Sequence, residues 1–492
     1  MGIIRRQSIK ASIATYLGTA IGAVNLMILF PRWLTQEQLG LTRVLIAVAI
    51  LFSQAALLGA PFALIRFFPF FRNKAKKHHG FPALMLLLVM AGFMTVGMIV
   101  FIFQIPVEQL FGKRAPLFAS NFSWIFPLAL FMVLTELLFY YSRALLKLPI
   151  PVFFREVVLR VAQTVAVFLF YMKWISFQWM IALFVGSYLL QLMLLTGYVF
   201  WLKEFFFFSG IHLEHKVPLN QILRYSFITF AAVSAAIYTQ NIDVILLGYL
   251  LNLDNTAVYS IAFFIGTIVQ IPARNMNMVA ASIVADAWKE NDRERIQKLY
   301  MQTALNQLII GGFIFLLIWF NIYLLLSFIP KDYSGAKPVI FMIGLGKLFD
   351  MATGINGEII NTSKHVKVNL FTNLLLIVIS TAMNFWLIPV YGIMGAAIAT
   401  AVSVFLFNTL RMVFLYYEYR LQPFEWASGK GALLLLICFG VGMVLPSTGH
   451  VWVDSIYRSA IIAVLFVLPL IYLKISPEIN AAFRSAISSV KK

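Results

Sequence analysis

The chain has 492 residues, of which 61% are hydrophobic and only 12% are charged. Because a soluble domain carries about 25% charged residues, this composition excludes a soluble enzyme or binding module. The net charge of +19 would indicate nucleic-acid binding in a soluble protein. Here, however, the basic residues fall in short gaps between apolar runs, as in membrane proteins. The single cysteine, Cys438, lies in an apolar run and excludes a disulfide framework. An integral membrane protein with no nucleic-acid partner is predicted.

Apolar segments follow one another along the whole chain, most of them close to the ~20 residues that a membrane-spanning helix needs. They lie at residues 10–30, 41–65, 83–104, 120–141, 155–172, 179–201, 224–248, 256–279, 301–325, 336–359, 368–389, 393–415, 431–446 and 456–474. The sequence therefore predicts an all-α integral membrane fold of about 14 transmembrane helices, and the last two segments are the least regular in length.

The distribution of basic residues predicts the orientation of these helices. If both termini are cytoplasmic, basic residues favour the cytoplasmic side by about four to one, as the positive-inside rule requires. The cytoplasmic set includes Arg155, after predicted helix 4, and Arg411, after predicted helix 12. The opposite side receives only seven basic residues: Arg32, Lys113, Arg114, Lys173, Lys331, Lys337 and Arg458. Two cytoplasmic termini require an even number of spans, which agrees with fourteen.

Two distant stretches of the chain share one pattern. Residues 16–50 and residues 234–268 each contain a span, a short polar loop and the beginning of a second span. This repeat predicts six-helix lobes at residues 1–205 and 206–420, followed at residues 421–492 by two additional helices and a cytoplasmic tail. Parallel repeats of this kind are a transporter architecture, in which the substrate site lies between the halves.

Four stretches carry a resemblance to a known family. They are TQEQLGLTRVLIAVAILFSQAALLGAPFALIRFFP (35–69), IDVILLGYLLNLDNTAVYSIAFFIG (242–266), GEIINTSKHVKVNLFTN (357–373) and NFWLIPVYGIMGAAIATAVS (384–403). Together they resemble the polysaccharide-transporter branch, of the O-antigen flippase type, of the multidrug/oligosaccharidyl-lipid/polysaccharide exporter superfamily. The resemblance covers nearly the whole chain and is weakest after about residue 420.

This resemblance implies a two-lobed, inverted-V transporter in the bacterial cytoplasmic membrane. It would move undecaprenyl-pyrophosphate-linked oligosaccharide from the cytoplasmic to the periplasmic leaflet by alternating access. Its expected partners are this lipid-linked oligosaccharide and the bilayer, and a polysaccharide polymerase stays open as a further partner. The sequence contains no P-loop, HExxH or GxSxG motif, so neither a nucleotide, another cofactor or a metal, nor enzymatic activity, is predicted.

Polar residues inside the predicted spans are the candidates for the site, because a buried charge costs ~2.5–3.5 kcal/mol even on insertion scales. Predicted helix 10 places Lys347, Asp350 and Glu358 on one face. The other polar positions are Glu136 with Tyr140, Glu156 with Arg160 and Gln163, Asp243, Gln270 with Arg274 and Asn277, and the asparagines Asn369, Asn373 and Asn384. Together they predict a hydrated cavity of net positive character.

Roles follow from side-chain chemistry. Guanidinium groups bind phosphate oxygens bidentately, whereas amides and phenols bind sugar hydroxyls. The predicted substrate contacts are Arg160, Arg274 and Lys347, then Arg43 and Arg66 near helix ends, and Asn373. The predicted ion-coupling or pairing acids are Asp243, Asp350, Glu358 and Glu136. For any one residue an ion pair is an equal alternative, because Glu156–Arg160 and Lys347–Asp350 have salt-bridge spacing on a helix.

Three other functions stay open at this point. A cation-coupled drug or metabolite antiporter of the same superfamily is disfavoured because no acid lies between Lys10 and Phe30, although Asp243 is compatible with it. A flippase for the peptidoglycan precursor lipid would have charged residues in its first helix, and these are absent. A membrane-embedded glycosyl polymerase or ligase is disfavoured by the short outer loops.

Overall fold

The computed structural model describes residues 2–211, 217–330, 333 and 335–481, and every regular element in those ranges is a helix. Among the described residues, eleven helices are long and apolar enough to cross a membrane, or up to 13 if each of two bent pairs counts as one span. The predicted all-α membrane fold is therefore confirmed, and the chain is a multi-pass membrane protein. The predicted cytoplasmic tail lies mostly outside the described residues, from 482 onward.

The chain divides into two compact units, one up to Ala257 and one from Val258. The N-terminal unit contains twelve described helices: α1 (Gly2–Val24), α2 (Phe30–Trp33), α3 (Gln36–Leu57), α4 (Ala60–Phe71), α5 (Phe81–Ile102), α6 (Gln104–Gly112), α7 (Pro116–Ser120), α8 (Ile125–Ala144), α9 (Pro149–Phe153), α10 (Leu159–Tyr171), α11 (Phe177–Trp201) and α12 (Leu219–Leu250). Helix α12 packs on α3 and α4, and for this reason the N-terminal unit extends past residue 205.

The C-terminal unit begins within α13 (Leu253–Thr267). Its other described helices are α14 (Ile271–Lys289), α15 (Arg293–Phe320), α16 (Ile322–Ser327), α17 (Ala336–Ala352), α18 (Asn356–Thr362), α19 (Val366–Tyr391), α20 (Ile393–Tyr419), α21 (Trp426–Val444) and α22 (Val451–Tyr472). Helices α21 and α22 pack on α15 around a core that includes Leu316, Cys438 and Phe466. Burial of Cys438 in this apolar core agrees with its interpretation as a small hydrophobic residue.

Helices α9 and α10 join through a π-helical turn, Phe154–Val158, into one continuous helix. This helix corresponds to the predicted span 155–172 but begins six residues earlier, at Pro149. Proline suits the first turn of a helix because the amide it lacks has no helical partner there. The early start moves Arg155 from the first residue of the predicted span to the second turn of the helix, one residue before Glu156.

The predicted tenth span is broken instead of continuous. Helices α17 and α18 meet at an angle of 48°. Gly354, between them, has a φ of +62°, and a Cβ there would lie only 3.0 Å from the backbone nitrogen of Ala304. Glycine tolerates both conditions and other residues do not. The expectation that Glu358 shares a helix face with Lys347 and Asp350 was therefore wrong, because Glu358 lies on α18 and the other two on α17.

Candidate functional site

A polar cavity of about 560 Å³ lies inside the N-terminal unit. Its walls come from α3, α4, α8, α11, α12 and the continuous helix α9–α10. The polar side chains that line it are Arg43, Ser53, Gln54, Thr135, Glu136, Tyr140, Arg155, Glu156, Arg160, Gln163, Tyr188, Gln191, Gln240 and Asn241. Charged and amide groups are costly among membrane-spanning helices. The large number of such groups around one cavity therefore indicates a hydrated site.

Two ion pairs hold four of the charged groups. Nη1 of Arg155 lies 2.8 Å from Oε1 of Glu136 and joins the π-helical turn to α8. Nη1 of Arg160 lies 2.9 Å from Oε2 of Glu156, one helical turn away. The pairing proposed for Glu156 and Arg160 therefore forms, and both residues still line the cavity. Pairing and cavity lining are compatible at this position.

Arg43, on α3, is the third arginine of the cavity. Its Nε is buried and has no hydrogen-bond partner among the described residues. The cavity thus has three arginines and two glutamates, a net charge of +1. A buried guanidinium nitrogen without a partner is costly, and an anion bound in the cavity would stabilise the positive charge of Arg43.

Helix α1 fixes the position of Arg160. Asn25, at a π-helical turn after α1, donates from Nδ2 to the backbone oxygen of Arg160 at 3.2 Å. Its Oδ1 accepts from Oγ1 of Thr164 at 2.8 Å. Gly18 and Gly22 allow this approach, since a Cβ at Gly18 would lie 2.4 Å from the Glu156 carbonyl oxygen and one at Gly22 2.9 Å from Nε of Arg160. π-Helical turns are frequent at functional sites.

The predicted site residues of the N-terminal unit are found in different surroundings. Arg160, Arg43 and Glu136 line the cavity together. Arg66, on α4, is exposed, and its guanidinium lies 4.3 Å from the ring centroid of Tyr225. Asp243, on α12, is 2% exposed and is not among the residues that line the cavity.

In the C-terminal unit, Asp350 and Asn373 belong to hydrogen-bonded clusters. Asp350 accepts from the amides of Gln270 and Asn408, the latter at 2.8 Å. The Asn408 amide in turn accepts from Asn356 at 2.8 Å. The carbonyl oxygen of Asn373 accepts from Nη2 of Arg411 at 3.2 Å. These contacts form a network of charged groups and amides that we call the C-terminal polar network.

The remaining predicted site residues of the C-terminal unit are Arg274, Lys347 and Glu358. Arg274, on α14, is exposed. The ammonium of Lys347 lies 5.9 Å from the ring centroid of Phe263. Glu358 is half-buried on α18. No group of three or more His, Cys, Asp or Glu side chains that could hold a metal ion occurs in the part of the chain that the structure describes.

Sequence reasoning missed two arginines in these sites, Arg155 and Arg411, because both were counted among the cytoplasmic basic residues although each lies within a predicted span. Pro149 was the available signal for Arg155, since a proline marks the first turn of a helix. For Arg411, the signal was the asparagine stripe on α19. Its guanidinium donates to Asn369 and Asn373 and lies 3.8 Å from the ring centroid of Phe407.

Comparisons with known proteins agree with this fold. A family model described as MatE matches residues 228–386, which is less than half of the chain. A comparison with curated proteins found no match.

Similar solved structures include two kinds of transporter. The structure titled lipid II flippase MurJ, in an inward closed conformation, has a TM-score of 0.70 at 13% identity, covering 95% of this chain and 99% of that one. An inward-facing multidrug resistance MATE family transporter of the MOP superfamily has a TM-score of 0.61 at 14% identity, covering 84% and 99%. A mutant of the Vibrio cholerae MATE transporter VcmN has a TM-score of 0.54 at 13% identity, covering 85% and 99%.

These likenesses show that the chain has the fold of MATE and MurJ transporters. Together with the MatE match they support the multidrug/oligosaccharidyl-lipid/polysaccharide exporter superfamily and a membrane transporter as the class of protein.

Proposed function

We propose that this protein flips an undecaprenyl-pyrophosphate-linked oligosaccharide, a repeat unit of a surface polysaccharide, across the bacterial cytoplasmic membrane. The single observation that carries the proposal is the cavity of the N-terminal unit. It combines a net positive charge, as a pyrophosphate requires, with the amides and phenols that bind sugar hydroxyls. The fold is similar to that of a protein named as a flippase of lipid II. This likeness supports a lipid-linked substrate for the present protein.

Within this proposal the cavity residues have distinct roles. Arg43 and Arg160 contact the pyrophosphate, because both side chains line the cavity and Arg160 is fixed by Asn25. Glu136 and Glu156 hold Arg155 and Arg160 in the cavity while no substrate is bound. Tyr140, Tyr188 and the glutamine side chains bind the sugars.

The mechanism that we propose is alternating access of two lobes, residues 1–205 and 206–420, with both termini in the cytoplasm. Residues 421–492 would add two helices and the tail. The strong cytoplasmic bias of basic residues in the sequence supports this orientation. Arg66, Arg274, Lys347 and Asn373 are proposed as further contacts along the path. Asp243, Asp350 and Glu358 are proposed as coupling or pairing acids.

A deletion strain tests the proposed substrate. We expect loss of the surface polymer and accumulation of undecaprenyl-linked repeat units on the cytoplasmic leaflet. The measurements are a surface polysaccharide profile and mass analysis of the lipid-linked intermediates, with the intact gene supplied in trans as the control. Normal polymer together with increased sensitivity to cationic drugs would overturn the flippase and favour an antiporter.

One observation favours that second candidate, a cation-coupled drug or metabolite antiporter. Asp350 is a carboxylate inside a membrane-spanning segment, and two amides, of Gln270 and Asn408, donate to it. A membrane-embedded acid is the kind of group that binds a coupling ion. The variant Asp350→Asn distinguishes the two functions. If the protein is an antiporter, this variant should lose ion-driven drug efflux while surface polysaccharide stays at wild-type amounts.

A further inference from the structure

A second cavity, of about 520 Å³, lies at one end of the C-terminal unit. It is located where α15 and α21 end and where α17 and α22 begin. Its wall contains Trp319 and Tyr323, the basic residues Lys337 and Arg458, and one carboxylate, Asp454. We call it the end pocket. All its lining residues lie within the C-terminal unit, far along the chain from the residues of the N-terminal cavity.

Aromatic rings hold the ammonium group of Lys337 in the end pocket. Its Nζ lies 4.2 Å from the ring centroid of Tyr323 and 5.5 Å from that of Trp319. The same Nζ donates to the hydroxyl of Tyr323 at 2.5 Å. Cation–π contacts of this kind fix the position of a cation without neutralising its charge. Lys337 therefore keeps a full positive charge available to a ligand.

Backbone carbonyls at the end of α21 orient the guanidinium of Arg458. Its Nη2 donates to the carbonyl oxygens of Leu445 and Pro446, each at 3.2 Å, and its Nε donates to the hydroxyl of Tyr457 at 3.2 Å. In the part of the chain that the structure describes, Nη1 has no hydrogen-bond partner. The remaining edge of this group is therefore available for an acceptor.

The carboxylate of the end pocket accepts hydrogen bonds from the loop between α21 and α22. Asp454 accepts from the hydroxyl of Ser447 at 2.6 Å, and from the backbone nitrogen and hydroxyl of Thr448 at 2.8 and 2.7 Å. No described carboxylate lies within 4.0 Å of a nitrogen of Lys337 or Arg458. Two cations and one hydrogen-bonded acid leave the pocket with a net charge of +1.

We propose that the end pocket binds the phosphate of an anionic lipid headgroup at the outer surface of the membrane. Guanidinium and ammonium groups are the usual partners of phosphate oxygens, and tryptophan and tyrosine mark the depth of the headgroups. Under the predicted orientation, only seven basic residues lie on this side, and Lys337 and Arg458 are two of them. Their convergence on one pocket, against the general depletion, favours an anionic ligand.

Two sources can supply this headgroup phosphate, a resident anionic phospholipid or an undecaprenyl pyrophosphate. The proposal does not depend on the flippase function, because a phospholipid would occupy the pocket in any membrane transporter. The test therefore uses both lipids as separate probes.

Native mass spectrometry of the full chain in detergent measures the binding. The probes are phosphatidylglycerol, undecaprenyl pyrophosphate and, as the zwitterionic reference, phosphatidylcholine. We expect Arg458→Gln and Lys337→Gln each to weaken the tightest anionic lipid about fivefold, since one basic residue near a charged surface contributes about 1 kcal/mol. Lys337→Arg should retain the binding. Lys113→Gln is the matched control, an exposed basic residue on the same predicted side but outside the pocket.

Each outcome decides a point. Loss of phosphatidylglycerol binding assigns the pocket to a phospholipid, and loss of undecaprenyl pyrophosphate binding alone assigns it to a polyprenyl carrier. Equal affinities of the wild type and both glutamine variants for both anionic probes would overturn the proposal. The described contacts of Lys337 are with Tyr323 and Trp319 on α16 and α15, so its variant keeps the test valid even if Arg458→Gln destabilises the loop before α22.

Discussion

The two units of this protein bury charge in different ways. In the N-terminal unit, arginines and glutamates face a cavity of about 560 Å³, and the Nε of Arg43 has no partner among the described residues. In the C-terminal unit, Asp350 accepts from two amides, and Arg411 donates to two asparagines, although its Nε, like that of Arg43, has no partner among the described residues. Charge held by amides stabilises a packed bundle, whereas charge facing open space requires water or a ligand. The N-terminal cavity is therefore the better candidate for the substrate.

The largest expected effect is a difference in substrate affinity between variants of two arginines in the N-terminal unit. Arg43→Gln should lower binding of undecaprenyl pyrophosphate by the purified protein about tenfold or more, because a hydrogen bond to a charged group contributes roughly 1.5–3 kcal/mol. Arg72→Gln is the matched control, since Arg72 is exposed and its guanidinium packs on the ring of Phe68. Binding to protein in nanodiscs measures both, and surface polysaccharide in the complemented deletion strain gives a second readout.

Equal affinities of the two variants would contradict the proposed role of the cavity. A loss in Arg72→Gln as large as that in Arg43→Gln would instead place the headgroup outside the cavity walls described above. Either result would remove the contrast between the two units.

A mutation in the C-terminal polar network should affect stability more than transport. Asn408→Leu removes a donor to Asp350 and an acceptor from Asn356, so the free energy of unfolding should fall by about 2 kcal/mol. Thermal unfolding in detergent measures this. Ser380→Ala is the control, because the buried hydroxyl of Ser380 has no partner among the described residues.

Transport per folded molecule should stay near the wild-type value in Asn408→Leu. If export disappears while the melting temperature is unchanged, the C-terminal polar network belongs to the transport mechanism, and the coupling role proposed for Asp350 gains support. The comparison of the two units would then need to be reversed.

The sequence alone predicted the membrane fold and part of the cavity. The residues and contacts that it did not predict were missed for physical reasons. Composition alone predicts the class, because the charge needed to cover a soluble surface is absent. Arg160 was found because it lies deep inside an apolar run. Arg155 was missed because the helix begins at Pro149, six residues before the apolar run indicates. The bond from Asn408 to Asp350 spans 58 residues, and no local pattern predicts such a partner.

The smallest expected effect tests whether the position of Arg160, and not only its charge, matters. Gly18→Ala would place a Cβ 2.4 Å from the Glu156 carbonyl oxygen and 2.7 Å from Nη1 of Arg160, so α1 must move away from α10. Overpacking of this size costs about 1 kcal/mol. Export should fall several-fold with little loss of folded protein, as measured by surface polysaccharide at equal membrane expression. Gly197→Ala, where no atom lies within 4 Å of the new Cβ, should leave export unchanged. If Gly18→Ala also exports normally, the contact between α1 and α10 does not position Arg160 for transport, and the charge of the cavity is sufficient.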